Sequence, residues 1–314
     1  MARRSGKAGA RALLFLCATT LLPGQQPSVF SVTSSLVTVP CSVTDAMGAP
    51  VTDLTLSDFD LFVDGVRHRV DYLWTNSDRP LLLGIVNDVS LSQSARTAEG
   101  EHEIDRLLEQ LIHGTDRAFV VSVNENVLLK SEVTRGEFGL RNAFLPLQGA
   151  PFGTQCGEGV GNDGRLHPAC GGTALWNAIY SSARLKFTSA SANQVLLVLS
   201  DGNDTGSTHS FDESLHEIRR SGTVVYAVIY PNELGVSSSN ELQRLAEETG
   251  GQSFVLQGIR LDSVLSSIAT TIQARFILGF LPDSPSTGDQ GHKLRVSVHR
   301  NDVVVRARDQ YSAP

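Results

Sequence analysis

After its first two dozen residues the chain has no run of Lys or Arg and no apolar stretch long enough to cross a bilayer. The first absence removes the clustered positive charge that nucleic acids and anionic membrane surfaces require. The second leaves nothing close to the about 20 consecutive apolar residues of a membrane-spanning helix. Cysteine is scarce, and the spacing of the four present fits no cysteine-metal motif. There is no Gly-x-Ser-x-Gly elbow to expose a nucleophilic serine. Gly157-Glu-Gly-Val-Gly161 lacks both a preceding strand and nucleotide-binding spacing, so it reads as a loop. His102, His113, His167, His209 and His216 show no metal-pair spacing and are expected at the surface or at helix caps. No internal repeat or coiled-coil heptad is visible.

The composition that remains is that of an ordinary globular protein, and 314 residues allow one large or two ordinary domains. Residues 1–24 are expected to form a secretory signal. Arg3 to Arg11 make a basic region, Ala12 to Leu22 a short apolar one, and Pro23-Gly24 a cleavage neighbourhood. Cys17 follows Leu16, not the small residue of a lipidation signal. Losing Arg3, Arg4, Lys7 and Arg11 with no acid would take the net charge from −7 to −11. The mature chain is therefore expected in the periplasm, the cell envelope or the medium, with no membrane-spanning segment and no nucleic-acid partner. In such a compartment Cys156 and Cys170, 14 apart in a Gly-rich segment, are expected to pair. Closing that loop is worth on the order of 3 kcal/mol in the chain-entropy view. Cys41 alternates with Val37, Val39 and Val43 and is expected to face a core.

Residues 25–77 read as β structure. The alternation Val37, Val39, Cys41, Val43 gives one buried face, with Pro40 pointing to an edge or a bulge. Asp64-Gly65 between Leu61-Phe62-Val63 and Val66–Val70 is a hairpin signal. Residues 276–314 are β again, through Phe276–Leu281 and two alternating runs, Leu294–Val298 and Val303–Ala307. Neither region alone is enough for a sandwich; together they are expected to make a small one. Residues 78–275 alternate strands and helices, which predicts a doubly wound, mostly parallel sheet inserted between the two β regions. Its strands are expected at Leu81–Val86, Ala118–Val123, Val195–Leu199, Thr223–Ile229 and Ser253–Leu256, with a short extra one at Val127–Leu129. Helices are expected at Glu101–Ile112, Ala174–Leu185, Phe211–Arg220, Ser239–Thr249 and Leu261–Gln273, with a weak helical pattern over Phe138–Leu147 and a loop over Gly149–Gly172.

Leu81–Val86 is uncharged and reads as a strand buried on both faces; Asn87-Asp88-Val-Ser90-Leu-Ser92 follows at its exit. Ligands of open α/β sheets collect at the C-terminal ends of strands. Thr173 precedes a helix, and Asp201 follows a second buried strand. Asp88, Ser90, Ser92, Thr173 and Asp201 thus offer two carboxylates and three hydroxyls, all hard oxygens suited to Mg²⁺, or to Mn²⁺ or Ca²⁺.

The Asp-x-Ser-x-Ser, Thr and Asp order resembles the metal-ion-dependent adhesion site of von Willebrand factor A (VWFA) domains, with all five positions matched over about residues 80 to 275. The flanks Leu54–Gly65 and Phe276–Pro282 are similar to those of a VWFA-related family of secreted bacterial proteins of acidobacterial type. The resemblance implies that Ser90, Ser92 and Thr173 bind metal through hydroxyls, and Asp88 and Asp201 directly or through water. It also implies a non-enzymatic adhesion role, in which the cation takes a sixth oxygen from a protein ligand presenting Asp or Glu. Val89 and Leu91 make the first loop bulkier than the Asp-Thr-Ser-Gly-Ser common in that family. The alternatives are a metal-assisted hydrolase or phosphotransferase, which would need a base the sequence does not place, and a structural envelope protein with a vestigial site.

Overall fold

A computed structural model describes residues 36–89, 97–124, 126–134, 157–160, 166–169, 173–187, 193–231, 239–282 and 291–312. At its centre is a six-stranded sheet. It is built from β5 (Leu81–Asp88), β6 (Arg117–Val123), β7 (Val127–Thr134), β10 (Asn193–Ser200), β11 (Val224–Ile229) and β12 (Gln252–Val255). The spatial order is β12-β11-β10-β5-β6-β7. Five strands are parallel, and β7 closes one edge antiparallel to β6. The chain winds outward from β5 on one side and from β10 on the other, so the switch point lies between these two strands.

Strands covered on both faces need apolar residues at nearly every position, and the two central strands have them. Leu81 to Val86 and Val195 to Leu199 are buried throughout. One face packs on α1 (Thr97–Leu111) and α5 (Leu261–Gln273) through Ile104, Leu107, Leu108, Leu265 and Ile268. The other packs on α2 (Leu175–Leu185), α3 (Phe211–Ser221) and α4 (Ser239–Glu248) through Trp176, Ile179, Leu215, Leu242 and Leu245. Gly84 sits mid-strand because nothing larger fits. A Cβ there would lie 2.5 Å from the Phe119 ring and 2.9 Å from that of Phe187.

The flanking strands form two four-stranded sheets. One has the order β15-β1-β13-β4, from Val303–Ala307, Val37–Asp45, Phe276–Phe280 and Tyr72–Thr75. The other has the order β16-β14-β2-β3, from Gln310–Ser312, Gly291–Val298, Phe59–Val63 and Val66–His68. Both sheets mix strands from before and after the α/β region, so the sandwich needs both ends of the chain. Val39, Cys41, Leu61, Phe276, Leu278 and Phe280 meet between them. Cys41 is free and fully buried, and burial pushes its thiol up to about 12 against a smaller downward pull from Arg275. Asp64 and Gly65 make the β2–β3 turn at φ values of 49° and 83°, the left-handed backbone that an Asp-Gly hairpin uses.

The structure bears out Pro40 as an edge position and departs from the sequence reading at one place. Pro40 lies in β1, which has β13 on one side and β15 on the other. Pairing with β15 begins only at Cys41, so at Pro40 the second side of β1 has no strand to receive a backbone N–H. The expected loop Gly149–Gly172 contains a two-stranded pair, β8 (Gly157–Val160) with β9 (Leu166–Ala169). Residues 1–24, the weak helical pattern at 138–147, and both Cys156 and Cys170 lie outside the described residues.

The sandwich docks on the N-terminal edge of the parallel sheet, and arginines are buried in the joint. Arg275 is 1 % exposed and donates to the side-chain oxygen of Asn193, the first residue of β10. Arg308 donates to the carbonyls of Thr38 and Arg219. Burial alone brings Arg308 down to about 10, with Tyr311 opposing. Arg219 bridges Glu248 of α4 at 2.8 Å and Asp309 at 2.9 Å, an ion pair across the two layers.

Candidate metal centre

The C-terminal ends of β5 and β10 bring the first and third loops together. Asp88 closes β5 and is 1 % exposed; Asp201 follows β10 and is 5 % exposed. Ser200, the last residue of β10, links them. Its hydroxyl donates to Asp88 Oδ2 at 2.6 Å and accepts the Gly202 N–H at 3.0 Å. Asp201 Oδ1 accepts the Asn203 N–H at 3.0 Å, which closes a tight Asx turn. Gly202 takes φ 79°, a conformation that costs a glycine little.

Thr173 is buried in the second loop, just ahead of α2. The third loop holds its backbone from both sides. The Thr173 N–H donates to Thr205 Oγ1, and the Thr173 carbonyl accepts the N–H groups of Thr205 and Gly206, all at 3.0 Å. Ala174 donates its N–H to the Asn124 carbonyl at 2.7 Å, tying the second loop also to the turn after β6.

The start of α2 explains why these loops pack so closely. Its N-cap is Ala174, which has no side-chain oxygen to receive the first N–H groups. The third loop supplies them instead. Trp176 N–H donates to Asp204 Oδ1 and Asn177 N–H to Ser207 Oγ, while the Ser207 hydroxyl donates to the same Asp204 oxygen at 2.5 Å. Asn177 Oδ1 returns the contact by accepting the N–H groups of Thr208 and His209. The Asp204 charge also suits a helix N-terminus. Trp176 is buried edge-to-face on Phe211 at 5.2 Å.

Of the five residues singled out by sequence, Asp88, Thr173 and Asp201 therefore lie on three loops that share hydrogen bonds. Ser90 and Ser92 are outside the described residues. Among the described residues no group of three His, Cys, Asp or Glu side chains could hold a metal. A site of two acids and hydroxyls would not make such a group. The donors present are carboxylate and hydroxyl oxygens, which fit a hard divalent cation and not a soft one. The surroundings carry the same sign. Partial burial, with Asp204 and Asp212 adding to it, holds the Glu241 carboxyl above its ordinary range. A cavity of about 330 Å³ lies elsewhere, between α1 and α5, lined by Glu103, Arg106, Asp262 and Ser263 among others; none of the site residues borders it.

Ser200 and Thr205 also belong to this arrangement and are not among the residues the sequence singles out. The usable signal was weak: a hydroxyl at the last position of a strand buried throughout.

The fold is matched in solved structures. Proximal thread matrix protein 1 from the mussel byssus, whose structure has a zinc-occupied MIDAS motif, superposes with a TM-score of 0.50. The identity is 13 %, over 67 % of this chain and 49 % of that one. The central region has the von Willebrand factor A fold. Two further A-type neighbours are more distant in shape. They are BatB from Bacteroides thetaiotaomicron (13 % identity, 61 % of this chain, 97 % of that one, TM-score 0.44) and a von Willebrand factor type A protein from Catenulispora acidiphila (13 %, 90 %, 75 %, 0.45). The chain spans about half the length of the byssus protein. No family model matches the sequence, and no curated protein does.

Proposed function

We propose that this A-type domain is a metal-dependent protein-interaction module. In this reading Asp88, Thr173 and Asp201, with Ser90 and Ser92 of the first loop, hold one Mg²⁺ or a similar divalent cation. The observation that supports it is that hydrogen-bonded loops at the sheet's switch point carry Asp88, Thr173 and Asp201, all three buried. When bound, the cation would supply an electrophilic position for a carboxylate oxygen of a partner protein. The chain's own part is to aim hard oxygens at one point. Ser200 fixes the Asp88 carboxylate, and the third loop fixes the Thr173 backbone. Among the described residues no helix is long and apolar enough to cross a membrane. Export by the N-terminal segment, and a partner outside the cytoplasm, belong to the same proposal.

The test is thermal melting of the full chain with EDTA, Mg²⁺ or Mn²⁺, beside Asp88→Ala. The wild type should melt higher with metal, and Asp88→Ala should not respond. A wild type indifferent to both ions would overturn the reading. Metal-dependent turnover of a generic phosphoester would replace it with the hydrolase alternative.

A further inference from the structure

We propose that Ser200 is a positioning residue for this centre: one neutral hydroxyl locks the Asp88 carboxylate to the Asp201–Gly202 turn and so sets the cation site in advance. The inference rests on the proposed reading of Asp88 and Asp201 as metal ligands. Ser200 itself is fully buried at the end of β10. Its backbone is fixed from the neighbouring strand, because the Tyr230 N–H donates to the Ser200 carbonyl at 3.0 Å. Its side chain has a single proton to give. The Gly202 N–H can only donate, and it occupies the hydroxyl oxygen as an acceptor. The hydroxyl proton is therefore directed to Asp88 Oδ2, at 2.6 Å. That bond restrains rotation of the carboxylate about its terminal torsion.

The choice of a hydroxyl has a chemical consequence. Lys or Arg at this place would hold Asp88 as firmly but would cancel the charge a cation needs. A hydroxyl orients the carboxylate and leaves its negative charge in place. It also ties the first loop to the third, so the two acids cannot shift independently. Outer partners of metal-binding carboxylates typically change metal affinity by about 10- to 100-fold when removed.

The experiment measures Mn²⁺ affinity by titration calorimetry on the full chain, with melting in EDTA as the companion reading. Ser200→Ala should bind Mn²⁺ about 10- to 100-fold more weakly, and Ser200→Thr, which keeps the hydroxyl, should recover most of that loss. A merely structural serine predicts a lower melting point in EDTA with unchanged affinity, and that result would overturn the inference. Should Ser200→Ala fail to fold, Ser200→Cys decides: its weak S–H donor should give the same loss, and wild-type affinity would count against the proposal. A wild type that takes up no Mn²⁺ fails the ligand reading itself, an outcome separate from a wild type that binds while Ser200→Ala binds equally well.

Discussion

The parallel sheet buries acids at one end and arginines at the other. At the C-terminal ends of its strands Asp88 and Asp201 are 1 % and 5 % exposed; at the N-terminal ends Arg275 and Arg308 are 1 % and 7 % exposed. Both arrangements cost desolvation, and they meet that cost differently. The arginines are held by what the fold already contains: the Asn193 side chain and the carbonyls of Thr38 and Arg219, under a lid of sandwich strands. Even so, Nε and Nη1 of Arg275 find no hydrogen-bond partner among the described residues. The acids are held by hydroxyls and backbone N–H groups, which orient charge without neutralising it. Neutral groups hold the charge at both ends: carbonyl and amide oxygens around the arginines, a hydroxyl and a backbone N–H around the acids.

The joint should be the less forgiving end. A Cβ on Gly251 would lie 1.8 Å from the Val225 carbonyl oxygen, and one on Gly250, already at φ 82°, would lie 2.5 Å from the Arg308 nitrogen. Both obstacles are backbone, so relief requires β11 or the C-terminal strands to move. Gly251→Ala should cost about 3 kcal/mol or more in urea unfolding; an unchanged midpoint would break the picture of a sealed joint. At the site, a divalent ion at 100 times its dissociation constant should add about 2.7 kcal/mol. That gain should vanish in Asp88→Ala and survive in Arg275→Met, which separates the two ends directly.

Smaller effects sharpen the contrast. Thr205→Val keeps shape but removes the acceptor of the Thr173 N–H, and should lower stability by about 1 kcal/mol. Its metal response should weaken too, whereas an equal loss at the joint would leave that response intact. The smallest effect is expected away from both ends, on the outer sheet of the sandwich. There the His292 ring and the Lys293 N–H hold the Asp64 carboxyl below its ordinary range, and the His299 ring and Arg67 do the same for Asp60. A lowered carboxyl stabilises the fold at pH above its unfolded value of about 4, and the contribution is lost as pH falls through the lower folded value. Melting below about pH 4 should therefore be less steep with pH in Asp60→Asn/Asp64→Asn than in the wild type.

The site was more legible in the sequence than the joint. Leu81–Val86 and Val195–Leu199 could hardly be anything but buried strands, and acids or hydroxyls at their exits are conspicuous against them. The sandwich was legible as a need, since neither β region has strands enough alone. The joint was not, because a single Arg between a helix and a strand looks like any surface residue until its neighbours are known. Ser200 was hidden for a related reason: a small polar residue ending a strand usually means that solvent has been reached. Pro40 marked an edge position correctly, because β1 gains its second neighbour only from Cys41 onward. The loops carrying Ser90, Ser92, Cys156 and Cys170 lie outside the described residues.

The shared sandwich also determines how the molecule would carry a load. The α/β region leaves the sandwich after β4 and returns at β13, and these strands are antiparallel neighbours with Thr75 opposite Phe276. Once the arginine joint gave way, a pull on the loops at the far end of the sheet, resisted through the sandwich, would arrive through two tethers side by side, at the same end of one strand pair. β13 is clamped between β1 and β4, whereas β4 has β13 alone. Force would peel β4 first, one hydrogen bond at a time from Thr75, while β13 stayed seated. The domain is hung from the sandwich by one firm strand and one that yields.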